Sequence, residues 1–105
     1  MTQHRLIFHP GTEADIADIV GFYAQRDRAL PAKFRARLSE EIDGVLLFPH
    51  AGMMLFEEYR RVQLRRFPFM VVYLVSDHTI YVLAIVHVRR DPAGIRADVA
   101  GRAAE

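Results

Sequence analysis

Closely spaced cations dominate the chemistry this sequence offers. Arg60, Arg61, Arg65 and Arg66 stand within eight residues, with Gln63 between them, and Arg89-Arg90 follows His87. If residues 59–66 form a strand, alternate side chains point to opposite faces. Arg61, Gln63 and Arg65 then make one row, while Arg60 and Arg66 share the other face with Val62 and Leu64. Guanidinium groups bind phosphate and carboxylate through paired N–H donors. The pattern predicts an anion-binding, target-contacting face made of Arg60, Arg61, Gln63, Arg65, Arg66, His87, Arg89 and Arg90. Strand arginines also guard sheet edges against unwanted pairing, but these clusters hold more of them than that task needs.

Within this set, His87 is the group able to pass a proton near neutral pH. In an extended strand it shares a face with Leu83, Ile85 and Arg89. His87, Arg61 and Arg89 are therefore the candidate catalytic set, with imidazole as acid or base and guanidinium steadying an oxyanion. A histidine closing an apolar strand also serves as a plain hydrogen-bonded edge residue, and both uses stay open. Other catalytic constellations are missing. Neither serine, Ser39 or Ser76, sits in a Gly-x-Ser-x-Gly elbow. The six glycines are scattered and form no phosphate-cradling loop. His4, His9, His50, His78 and His87 show no metal-ligand spacing, and the absence of cysteine excludes disulfides and thiolate chemistry. No metal and no cofactor are expected.

The net charge of +1 conceals an asymmetry. Residues 1–58 carry six Lys/Arg against nine Asp/Glu, a balance of −3, and residues 59–105 carry eight against four, a balance of +4. All the cations except Lys33 are arginines, a bias that arginine-rich codon usage also produces. The clustering points to an anionic partner, either nucleic acid or an acidic protein segment. Hydrophobic residues make up 51% and charged residues 26%, an ordinary globular composition that argues against disorder. Met1 to His9 holds no apolar run fit for a secretory signal, and Ile80 to Val86 is far too short to span a membrane. A cytoplasmic protein is expected, folded as one domain over residues 1–105.

The elements that must position these residues follow from periodicity. Leu6-Ile7-Phe8 reads as a strand near 5–9, stopped by Pro10-Gly11. Thr12, with Asp15 three residues on, resembles a helix N-cap, and Ile16, Ile19, Val20 and Tyr23 recur at helical spacing through 13–27. Pro31 opens a second helix over 31–47, with a stripe of Phe34, Leu38, Ile42, Val45 and Leu46. Residues 49–58 have no clear period and read as a loop, in which Met53, Met54, Leu55 and Phe56 either contact a partner or pack inward. The period then switches to two, giving strands near 59–66, 69–75 and 80–89, with a turn at Ser76 to Thr79. Residues 69–75 are apolar on both faces, as a covered central strand requires. Residues 93–104 form a short helix, with Ile95 and Val99 inward, or a frayed tail. The order β-α-α-β-β-β predicts an α+β two-layer sandwich, a helical hairpin on one face of an antiparallel sheet, with arginines on the open face.

Tyr59 to Tyr73 and Ile80 to Pro92 resemble the C-terminal sheet of RelE/ParE toxins of type II toxin–antitoxin systems. The similarity centres on Phe67-Pro68-Phe69 with Tyr73 four residues on, then a strand ending in His87-x-Arg89-Arg90-Asp91-Pro92. It extends weakly upstream through Ala14-Asp15-Ile16 and the proline after the second helix. The resemblance implies a toxin neutralised by a cognate antitoxin, which an adjacent gene would encode. It also implies that the antitoxin lays an amphipathic segment over apolar grooves and acidic residues over the basic face. Met53, Met54, Leu55 and Phe56 are the candidate antitoxin contacts.

The resemblance divides by activity. RelE-type members cut messenger RNA in the ribosome with lysines, arginines and a C-terminal tyrosine, whereas ParE-type members lack that set and poison DNA gyrase. Here Arg61 falls where a ribonuclease member has lysine, and Arg89 matches a basic position. Gln63 replaces a second lysine, Met70 stands in place of an arginine, and Ile95 lies near the place of the tyrosine. The pattern is closer to ParE, implying a gyrase inhibitor without a catalytic site. The alternative is a metal-independent endoribonuclease in which His87 substitutes for the lost acid or base. A relic that keeps the fold without toxicity is a third reading.

Overall fold

A computed structural model describes residues 4–105. Residues 1–3, the beginning of the segment read for a secretory signal, lie outside the described residues. The chain runs β1 (Arg5–Phe8), α1 (Pro10–Ala24), α2 (Leu30–Leu47), β2 (Met53–Phe56), β3 (Tyr59–Gln63), β4 (Phe69–Ser76), β5 (Thr79–His87) and α3 (Pro92–Ala103). The fold is α+β, with one five-stranded sheet in the order β1-β5-β4-β3-β2. β4 is the central strand, as its two apolar faces demand.

The sheet is mixed. Three pairs are antiparallel, but β1 lies parallel to β5, with Leu6 opposite Ile80 and Phe8 opposite Val82. The expected all-antiparallel sheet is corrected at this edge. No tight turn links β1 to β5, and the long connection through the helical hairpin leaves the direction of β1 free.

α1 starts three residues earlier than its apolar stripe suggested. Pro10 occupies the first turn, where its missing N–H costs nothing, and His9 caps the helix by accepting the Gly11 N–H on Nδ1 at 2.8 Å. Thr12 is not the cap. It is fully buried, and its hydroxyl donates to the Val82 carbonyl at 2.8 Å, tying α1 to β5.

The stretch read as a loop divides in two. Its first part is held by Tyr73, whose hydroxyl donates to the Pro49 carbonyl at 2.8 Å, and by Arg60, whose Nη1 donates to the His50 and Gly52 carbonyls at 2.9 Å each. A Cβ on Gly52 would collide with the Tyr73 hydroxyl, so the close approach requires glycine. The second part is β2, an edge strand that turns back at Glu57, a residue with φ of 48°. Met53 and Met54 point to opposite faces and are both exposed, which is why no period-two signal marks β2.

Two cores form. Phe34, Leu38, Ile42 and Val45 of α2 and Ile19 of α1 pack on Val71, Tyr73, Ile80, Val82 and Ile85. On the far face, Ile95 and Val99 of α3 cover Tyr59, Met70, Val72, Leu83, Ala84 and Val86. The face expected to be open therefore carries a partial third layer, since buried strand residues on that side need an apolar partner.

A groove and a cationic end

Strand register decides which of the candidate residues meet. On β3, Arg61 stands opposite Val72 and Gln63 opposite Met70, so both face α3. Arg60 stands opposite Tyr73 and Val62 opposite Val71, on the side of the helical hairpin. Arg60 is committed to the 50–52 backbone, on the face opposite Arg61 and Gln63. β3 ends at Gln63, so Arg65 does not extend the row of Arg61 and Gln63; it and Arg66 sit in an exposed turn where Arg66 has a φ of 67°.

β5 contains a bulge. Val72 pairs with Ala84 but Tyr73 with Val82, which leaves Leu83 as the extra residue. Leu83 consequently joins the α3-side core while Ile85 joins the other, and the shared face read for Leu83, Ile85 and His87 is broken. His87 lies opposite Phe69 with ring centroids 5.4 Å apart, beside Asp18, Phe22 and Tyr23 of α1. Its Nδ1 accepts the Arg89 N–H at 3.0 Å. Arg61 lies on the opposite face of the sheet, so the candidate catalytic set of His87, Arg61 and Arg89 is not assembled at one point.

A groove of about 800 Å³ is assembled between α3 and the β2–β4 side of the sheet. Leu55, Phe56, Met70, Val88 and Ile95 give it apolar surface, and Arg61, Gln63, Arg90 and Arg96 line it with cations and an amide. α3 is seated there by Asp91, which caps it through Gly94 N–H at 3.1 Å, and by Pro92 in its first turn. Arg90 pairs with Asp98, and Arg96 pairs with Glu57 at 3.1 Å while covering the Phe56 ring. Among the described residues Arg61 makes no ion pair and hydrogen-bonds to the Met53 sulfur at 3.7 Å, so it is the least compensated of the three guanidiniums. Arg96 was missed in the sequence. Asp91-Pro92 is a helix-start signal, and reading it with Ile95 and Val99 would have placed Arg96 on the flank of a helix.

Among the described residues, the groove lining contains no His, Lys, Asp, Glu or Tyr. Guanidinium groups donate hydrogen bonds but do not exchange protons near neutral pH. The groove can bind and orient an anion with apolar neighbours, and it holds no proton carrier. Among the described residues no cluster of three or more His, Asp or Glu is placed to hold a metal ion, and no helix is long and apolar enough to cross a membrane.

The candidate antitoxin contacts also divide. Met53 and Met54 are 64% and 50% exposed, whereas Leu55 and Phe56 are half-buried against the α3-side core. Leu47 and Phe48, at the end of α2, are exposed on the other side of the connecting loop. They join the methionines as large apolar side chains without cover in the chain itself.

An α1–α2 hairpin over a mixed sheet, with a cationic groove under a C-terminal helix, defines an α+β domain of the kind that the resemblance to RelE/ParE toxins implies. The family described as ParE toxin of type II toxin-antitoxin system, parDE, matches residues 6–92. The chain is 31% identical over 105 residues to Toxin ParE2 of Mycobacterium tuberculosis, in both strain CDC 1551 / Oshkosh and strain ATCC 25618 / H37Rv. Each alignment covers 96% of this chain and 97% of the relative. A solved structure described as the chromosomal ParDE TA system from P. aeruginosa has the same fold, with a TM-score of 0.72 at 19% identity, over 81% of this chain and 96% of that one. The chain belongs to the ParE toxin family, and it is the toxin component of a type II toxin–antitoxin system.

Proposed function

We propose that this single-domain, cytoplasmic toxin inhibits DNA gyrase by binding, and that a cognate antitoxin from an adjacent gene neutralises it by covering the exposed apolar surface and the cationic groove. The observation that carries this reading is the content of the groove. Gln63, Met70 and Ile95, which stand where the resemblance places lysine, arginine and tyrosine in ribonuclease members, all line it beside Arg61. An amide, a thioether and an alkyl group supply neither a base for a 2′-hydroxyl nor an acid for a leaving oxygen. His87, the possible substitute, belongs to the other face. Family membership supports the gyrase target, and the endoribonuclease alternative finds no favouring observation.

Adding purified toxin to a gyrase supercoiling reaction, and separately to ribosomes translating a defined message, tests the proposal. Loss of supercoiling with the message intact is the expected result.

A further inference from the structure

The cations that leave the groove gather elsewhere. Arg65 and Arg66 occupy the β3–β4 turn, which is locked to the helical hairpin by Phe67; its ring lies 5.4 Å from Tyr23 and 5.6 Å from Phe34. Arg66 shares a hollow of about 460 Å³ with Lys33 and Arg37 of α2. The turn carrying Arg89 is tied to the same place, because Val88 N–H donates to the Pro68 carbonyl at 3.0 Å. Arg28 lies in the α1–α2 connection at this end. Among the described residues, Arg28, Lys33, Arg65, Arg66 and Arg89 make no ion pair.

The nearby carboxylates are committed or turned aside. Glu40 pairs with Arg37, Asp27 accepts the Ala29 N–H, Asp91 caps α3, and Asp18 lies on the rim of the His87 cleft. Two costs therefore coincide. Like charges share this end without forming ion pairs, which opposes compaction. An arginine also occupies a left-handed turn position that glycine or asparagine would fill with less strain. Neither serves the fold.

We infer that this end of the toxin binds duplex DNA through the phosphate backbone, without sequence preference. Protein partners are met on an apolar centre; Leu47, Phe48, Met53 and Met54 are exposed at the end of α2 and on the β2 edge, and the half-exposed Phe22 ring near this end is covered by the Arg26 guanidinium, 3.9 Å from its centroid. A polyanion of regularly spaced phosphates needs only the cations. The inference rests on the gyrase reading for its role, which is to hold the toxin on the DNA that the enzyme handles. The binding itself requires no gyrase.

Anisotropy of a labelled mixed-sequence duplex, titrated with full-length toxin across a salt series, reads the contact directly. Four or five phosphate contacts give a slope of log affinity against log salt of about −4, since each contributes roughly −0.9. Combining Arg65→Gln with Arg89→Gln should make the slope shallower by about 2, at roughly 1 per contact. Arg66→Asn should act in the same direction while suiting the turn, and Arg35→Gln, elsewhere on α2, should change nothing. Thermal melting of each variant checks its folding. Absence of duplex binding at low salt, an unchanged slope in the double variant, or equal binding of a poly-glutamate competitor would each overturn the inference. So would a clear preference for single-stranded RNA. Gyrase inhibition is scored separately, so a toxin that inhibits without binding DNA sinks this inference alone.

Discussion

Arg102 on the last helix grips Asp15 on the first through both carboxylate oxygens, at 2.7 Å and 3.1 Å. The same Asp15 carboxylate accepts the Ile85 N–H at 3.0 Å, and Arg102 also donates to the Leu83 carbonyl at 2.8 Å. β1 pairs with β5 only as far as Val82, so this fork satisfies the Leu83 carbonyl and the Ile85 N–H beyond it, while Thr12 adds a second donor to the Val82 carbonyl, which also accepts the His9 N–H. The approach is tight enough that a Cβ on Gly11 would lie 2.6 Å from Arg102 Nε.

Arg102→Ala leaves Asp15 and the Leu83 carbonyl short of partners. Both side chains of the pair are one-fifth exposed, so the loss falls below that of a fully buried pair. It should be about 2–3 kcal/mol in chemical denaturation. The Asp15 hydrogen bond holds the Arg102 pKa above its usual value. A raised pKa means the stabilisation is present below the arginine range and fades only as pH rises through it. The difference between wild type and variant should therefore be constant from about pH 6 to 9.

Tyr73 sets an alkaline limit. Burial pushes its hydroxyl pKa up, against smaller opposing effects from the Gly52 backbone and Arg60. Stability contributed by the neutral phenol is complete below the unfolded value of about 10 and declines as pH rises through the higher folded value. Stability should fall steeply above about pH 10, and Tyr73→Phe should flatten that fall. At neutral pH the same substitution costs about 1–2 kcal/mol, because the buried Pro49 carbonyl loses its donor. Equal alkaline slopes for the two proteins would refute this role.

How much of this was legible in the sequence depends on where the signal was periodic. The stripe from Phe34 to Leu46 and the two-faced apolar run of β4 located α2 and the sheet centre, because a buried face imposes its spacing on the chain. β2 was not legible, since an edge strand with exposed methionines obeys neither period. The start of α1 was misplaced because a histidine does the capping and the threonine is spent on β5. The site suffered most from one residue, the Leu83 bulge, which changes the face of everything after it. Alternation counted through residue 83 put His87 with Leu83, and nothing local in that run of apolar residues marks the insertion.

Antitoxin binding should depend on the exposed half of the β2 segment. Met53→Asp together with Met54→Asp should weaken co-purification with the antitoxin by at least tenfold, about 1.4 kcal/mol or more. Stability should change by less than about 1 kcal/mol, because both side chains are largely in solvent. Full retention of the antitoxin by the double variant would move the interface elsewhere.

The central claim, that this toxin acts by binding and not by RNA cleavage, is tested most directly by one comparison. Wild type, Arg61→Ala and His87→Ala are assayed side by side for gyrase inhibition and for cleavage of a message in translating ribosomes. Wild type should inhibit gyrase and leave the message intact. Arg61→Ala should inhibit more weakly by about 1–3 kcal/mol, the loss of a charge-assisted hydrogen bond, and His87→Ala should inhibit like wild type. Message cleavage by wild type that His87→Ala abolishes, with gyrase untouched, would contradict the account.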